Sequence, residues 1–287
     1  MRKILALTEI LGLVAFAGLA WAMPNLVPAT NTHSGRTLII PDTAVQVADN
    51  VFDLGTAVDT HTGLPVRGYA ILHYRTGFHH SPTHSGGPPA GGGGGSNCFS
   101  FLANGAKWKT VEPWIVNTSN GEGLLSSFVF DNLTADVLKW EDAADGTVGS
   151  GAGVNILGDG SVTAATLVAD TSSPDNQNEV YFGDVGSQGA IAVTIVWGIF
   201  SGPPSQRQLV EWDMIFDEVD YNWSSTGAAG LMDFENIATH ELGHSTGMAD
   251  LYTFSCSEET MYGYADFGET KKRDLNAGDI AGVSSLY

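Results

Sequence analysis

Two histidines four residues apart with a glutamate between them, His240-Glu241-Leu242-Gly243-His244, are the residues of this sequence best placed to do chemistry. On a helix, side chains four positions apart project one above the other, so both imidazoles can reach a single ion. Glu241 lies about 100° further round, where it misses the ion but reaches a water bound to it, the station of a general base. The plain alternative for the two histidines is a solvated helical pair. Beyond Gly247 stands Asp250, a third ligand or an ordinary loop aspartate, and Met261 follows within Glu258-Glu259-Thr260-Met261-Tyr262-Gly263. Three protein ligands on a four-coordinate ion leave one position open, the arrangement of metal-assisted hydrolysis.

For those side chains to converge, a helix must carry the histidines and a turn must return Asp250 to them. Asp233 predicts the N-cap of a helix running to about Thr246, because its carboxylate accepts from unpaired amides of the first turn. Phe234, Ile237, Ala238 and Leu242 give that helix an apolar stripe. Gly247 predicts its end, in a left-handed conformation that the sharp turn requires. Strands are predicted around Trp114-Ile115-Val116, at Val180-Tyr181-Phe182, from Ala190 to Phe200 and from Val210 to Val219. A further helix is predicted from Ser126 to Ala143, with Phe128, Leu133, Val137, Leu138 and Trp140 apolar.

The chain has 287 residues, enough for one substantial domain and a smaller attachment. Met1-Arg2-Lys3, an apolar run to Ala20 and the small-residue site Ala20-Trp21-Ala22 predict a signal peptide over residues 1–22. Glu9 cuts the apolar run to about a dozen residues, too few to cross a bilayer. Residues 23–80 carry short β-like runs, Thr37-Leu38-Ile39-Ile40 and Gly68-Tyr69-Ala70-Ile71-Leu72-His73-Tyr74. Residues 81–97, rich in Gly, Pro and Ser, predict a flexible linker, and residues 98–287 the main domain. The segment before the linker is a candidate propeptide, since it ends where proteases cut. His73, His79 and His80 ahead of the linker and His84 near its start are expected to be solvated loop histidines, with a second metal or a shield over the first as the alternative.

A formal charge of −20, from 32 acidic and 12 basic side chains, argues against nucleic acid and anionic lipid as partners. Solubility of an exported protein is reason enough for the acidity; calcium sites or a saline habitat are its other uses. Cys98 and Cys256 are the two cysteines, and in an exported chain a disulfide between them is the preferred reading.

The run HExxHxxGxxD with its following Met resembles the metzincin pattern, and most of all that of the matrixin-related peptidases. The usual pattern ends in His where this sequence has Asp250. The resemblance implies zinc held by His240, His244 and Asp250, Glu241 as catalytic base, and Met261 as the Met-turn residue beneath the metal. It extends over most of residues 97–287. Glu211 to Asp217 is similar to the strand before the active-site helix, and Leu275 to Tyr287 to the final helix, with no appended C-terminal module expected. Ala190 to Phe200 takes the place of the edge strand that pairs with an extended substrate. The implied fold is α/β, of α+β type: a twisted mixed β-sheet with an active-site helix and a C-terminal helix, preceded by a small β-rich segment. The implied function is that of a secreted, extracellular zinc endopeptidase, monomeric, acting on protein or peptide substrates, with no stable membrane association once the signal is cleaved. A catalytically silent zinc-containing extracellular binding protein is the rival. A thiolate of Cys98 capping the zinc is the rival to the disulfide, although the short signature of matrixin propeptides is absent around it. Tyr262 or Tyr264 is either an oxyanion donor or part of the cleft wall, and the specificity pocket falls between Thr253 and Phe267.

Overall fold

Runs that are apolar on both faces become interior strands, and this chain has several. The computed structural model describes residues 35–78, 98–151 and 153–287, all within one compact unit, Asn31–Tyr287. The expected signal peptide, the expected linker, and His79, His80 and His84 lie outside the described residues. In chain order the elements begin with β1 (Thr37–Leu38), β2 (Val45–Ala48), β3 (Val51–Val58), β4 (Pro65–Arg75) and β5 (Trp114–Asn117). Then come α1 (Ser126–Ala143), β6 (Gly160–Val162), β7 (Asn178–Val185), β8 (Ala190–Ile199) and β9 (Gln208–Asp217). The last are β10 (Trp223–Ser224), β11 (Met232–Asp233), α2 (Phe234–Thr246), β12 (Tyr264–Ala265) and α3 (Ala277–Leu286). No helix among the described residues is long and apolar enough to cross a membrane.

Ten strands make one mixed sheet in the order β2-β3-β4-β8-β9-β7-β5-β6, with β1 beside β7 and β12 beside β4. Strands β5, β6, β7 and β9 run parallel to their neighbours among themselves, while β8 is antiparallel to both β9 and β4. The period-2 alternation sends Trp212, Met214, Phe216, Val180 and Phe182 into one core, packed with Val129, Leu133, Val137 and Trp140 of α1 and Ile237, Ala238 and Leu242 of α2. Tyr181, Val193, Ile195, Trp197 and Ile215 enter a second core on the other face, covered by Leu167 and Ala169 of the loop before β7. This mixed sheet with its helices is the architecture the resemblance implies.

One expectation is corrected. The segment before the linker shares the sheet of the rest of the chain: β1 pairs with β7, and β4 pairs with β8 along most of its length, from Arg67 opposite Gly198 to Tyr74 opposite Ala190. Consequently β8 is not an edge strand; it has β9 on one side and β4 on the other. The cause lies in β4 itself, where Val66, Ala70, Leu72 and Tyr74 face one core while Tyr69 and Ile71 face the other, so neither face suits water.

Candidate metal and catalytic site

Helix α2 starts and stops where its sequence dictates. Asp233 Oδ1 accepts from the Asn236 amide at 3.0 Å, and Arg273 binds the same carboxylate. At the other end Gly247 has φ 103° and closes the helix onto the carbonyls of Gly243 and His244. The turn beyond is tied to the Met261 turn by the amide of Leu251 on Met261 O at 2.8 Å and that of Gly263 on Leu251 O at 2.9 Å. A disulfide between Cys98 and Cys256, 158 positions apart, anchors the loop that joins these turns. Gly243 has a packing reason for being glycine, since a Cβ there would stand 2.2 Å from Met261 Sδ and 2.7 Å from the Trp140 ring. Met261 is thus fully buried against the helix, under the turn that bears the histidines.

Each histidine is held in one tautomer. His240 Nδ1 lies 2.7 Å from Thr260 O and His244 Nδ1 lies 3.0 Å from Met248 O. A carbonyl only accepts, so both Nδ1 atoms must donate and both Nε2 atoms are left with lone pairs. Those lone pairs face Asp250 Oδ1, at 3.1 Å from His240 Nε2 and 3.5 Å from His244 Nε2. Asp250 Oδ2 is occupied by the Tyr252 hydroxyl at 2.8 Å. Among the described residues the two Nε2 atoms and Oδ1 are buried without any hydrogen-bond partner. Three acceptors converging with no proton between them repel one another, and a cation resolves the conflict. The donor set, two imidazoles and a carboxylate, suits zinc.

Glu241 sits beside this triad, fully buried. Thr194 of β8 donates to Oε2 at 2.5 Å, and His73 Nδ1 lies 3.1 Å from Oε1. Burial raises the glutamate to about 7, against the opposing pull of His244 and of the Thr194 hydrogen bond. The His73 ring lies against that of His240 at 3.9 Å between centroids, and its Nε2 is 3.0 Å from Lys272 Nζ. Burial brings the Lys272 ammonium down to about 8 and depresses His240 to about 3.

The residues singled out in the sequence, His240, Glu241, His244, Asp250 and Met261, therefore meet in one place. His73 corrects an expectation: it is fully buried in this site rather than solvated, because β4 is an interior strand and His73 shares the face of Tyr69 and Ile71. Tyr252, Thr194 and Lys272 were not foreseen. Tyr252 had the signal of lying two residues from Asp250; for Thr194 and Lys272 no local pattern exists. Tyr262 is partly exposed and accepts from Lys272 through its carbonyl, and Tyr264 lies in β12, its ring against those of Tyr252 and Tyr262.

On the opposite face of the sheet, oxygens of Asp170, Asp175 and Glu211 lie within 4.8 Å of one another. Asp213 and Glu179 stand next to them and are buried. The amides of Asp170 and Glu179 donate to Asp213 at 2.7 and 3.2 Å, yet Glu211 Oε1 and Asp170 Oδ2 are buried without a hydrogen-bond partner.

Residues 201–287, from just before β9 to the end of the sequence, match the family model of the matrixin peptidases. None of the curated proteins matches the chain. Over that stretch the chain is matrixin-like, of the metzincin type, and the likeness supports a zinc metallopeptidase.

Proposed function

From a matrixin-like stretch that carries the whole metal constellation, we propose that the protein is a secreted zinc endopeptidase in which His240, His244 and Asp250 hold the ion. The observation that carries this reading is the convergence of three buried, unpartnered donor atoms beside Glu241. Zinc, when bound, polarises a peptide carbonyl and acidifies water. Glu241 is the general base: Thr194 fixes one of its oxygens, and the other takes the proton of the attacking water and returns it to the leaving amine. Tyr252 orients Asp250 as an outer partner of the metal site.

Strand β4 takes up the edge of β8 along which an extended substrate would pair. The strand runs between β8 and β12, and its His73 rests on Glu241. We therefore read residues 23–96 as a propeptide that must be displaced, with the segment 81–97 as its cutting site. A second cation, calcium, suits the acidic pocket of Asp170, Asp175 and Glu211, whose oxygens are hard donors. Secretion through a cleaved signal at residues 1–22, protein or peptide substrates, and a monomeric enzyme complete the reading.

The test is metal analysis and casein cleavage by the purified chain, before and after cutting within residues 79–97, beside a Glu241→Ala variant. One zinc per chain and chelator-sensitive cleavage that the variant lacks are expected. Zinc at one per chain without cleavage in either state favours the silent binding protein instead.

A further inference from the structure

Strand β4 marks the path of a peptide through the site. It is antiparallel to β8, with His73 opposite Ala192, and parallel to β12, with Tyr74 opposite Tyr264. A peptide added in its place would use the same two ladders, and one of its side chains would enter the slot that His73 fills. The near side of that slot is Glu241, at the Nδ1 side of the ring; the far end is Lys272 Nζ, at Nε2.

Lys272 is a fully buried ammonium placed with care. Its backbone amide donates to Asn236 Oδ1 at 2.8 Å, and Nζ donates to the carbonyl of Tyr262 as well as facing His73. An ammonium has three protons to place. Once His73 leaves, an aliphatic side chain in the slot would strand one of them away from water, whereas a carboxylate would accept it. Length decides between the two acidic residues. A glutamate carboxylate reaches about as far as the imidazole Nε2 does, whereas an aspartate stops short, nearer the like charge of Glu241.

On the peptidase reading above, we propose that Lys272 is a specificity-determining residue, selecting peptides with glutamate at the position beside the cleaved bond that takes the place of His73. Glutamine, which offers an acceptor without the charge, ranks second. Leucine and aromatic side chains rank below it.

Cleavage sites in a peptide library, mapped by mass spectrometry with the full chain before and after nicking within residues 79–97, test this. At one position flanking the cut, glutamate should be enriched on the order of tenfold over leucine. Lys272→Gln should flatten that preference, Lys272→Glu should turn it toward lysine and arginine, and Lys272→Arg should keep it. Zinc content and thermal midpoint of each variant establish that it is folded. Cleavage with no acidic preference in the parent chain, or a profile unmoved by Lys272→Gln, overturns the proposal and leaves the peptidase reading standing. No cleavage of any peptide in either state overturns that reading, and the inference falls with it.

Discussion

The two faces of the sheet bury charge in opposite ways. On the helix face, groups of both kinds interlock: Lys272 faces His73, His73 faces Glu241, and the imidazoles of His240 and His244 face Asp250. On the other face Glu179, Glu211, Asp213 and Asp170 gather with backbone amides as their main donors. Burial is the same physical cost on both sides. It is met on the first by complementary partners, and on the second by a shift toward the neutral form: burial raises Glu179 to about 7 and raises Glu211 and Asp213 as well. The lesson is that a buried acid is informative through its partners. Asp250 keeps Oδ2 on the Tyr252 hydroxyl at 2.8 Å and turns Oδ1 to the Nε2 atoms of His240 and His244, a set of acceptors that a cation satisfies.

The two faces differ most in function at Glu241. Glu241→Gln keeps the shape and removes the base, so peptide hydrolysis should fall by about 10²–10⁴-fold with zinc still bound. Glu211→Gln, a change of the same kind on the far face, should leave hydrolysis within about twofold at saturating calcium. Equal losses in the two variants would show that the faces are not separate in function. Asp250→Ala sharpens the contrast, because it should drop zinc content from one per chain to a small fraction, which metal analysis reads directly.

A covalent bond secures the helix face in addition. Cys98 and Cys256 close a loop of 158 positions and hold the segment between Asp250 and Met261. Cys98→Ser with Cys256→Ser should cost about 2–5 kcal/mol in chemical denaturation, and the loss should be accompanied by weaker zinc retention. If zinc affinity is unchanged while stability falls, the disulfide serves the fold and not the site.

Much of the helix face was legible in the sequence because its determinants are local. Asp233, the two histidines, Gly247 and Asp250 lie within one short stretch, and helical periodicity with capping chemistry orders them before any tertiary contact is known. α1 was readable from its apolar spacing for the same reason. What could not be read depends on which strand lies beside which. The run Gly68 to Tyr74 announces a strand but not its neighbour, so neither the burial of His73 nor the covering of β8 followed from it. Lys272 stands among charged residues in a short turn, Lys271–Arg273, and only the packing of that turn against α2 makes it an interior group. The acidic pocket is assembled from β7, β9 and the loop before β7, three places that share no sequence pattern.

The smallest expected effect, a slope, bears most directly on the far face. A carboxyl whose folded pKa is raised binds its proton more tightly in the native state. Its stabilising contribution is therefore complete below the unfolded value, about 4.3 for glutamate, and is lost as pH climbs through the folded one. Glu179, at about 7, places part of that loss between roughly pH 5 and pH 8. Glu211, Asp213 and Asp170, all raised, extend it upward, with Arg36 easing the charge on Glu179 and Asp175 adding to the load. In chelator the thermal midpoint should thus fall as pH rises over this window, and Glu211→Gln should shallow the fall. Calcium should flatten it further, because a bound cation replaces the protons the pocket would otherwise hold. A midpoint that rises with pH in chelator for the parent, with no difference in the variant, would mean that the acids are solvated and that the two faces do not differ as described.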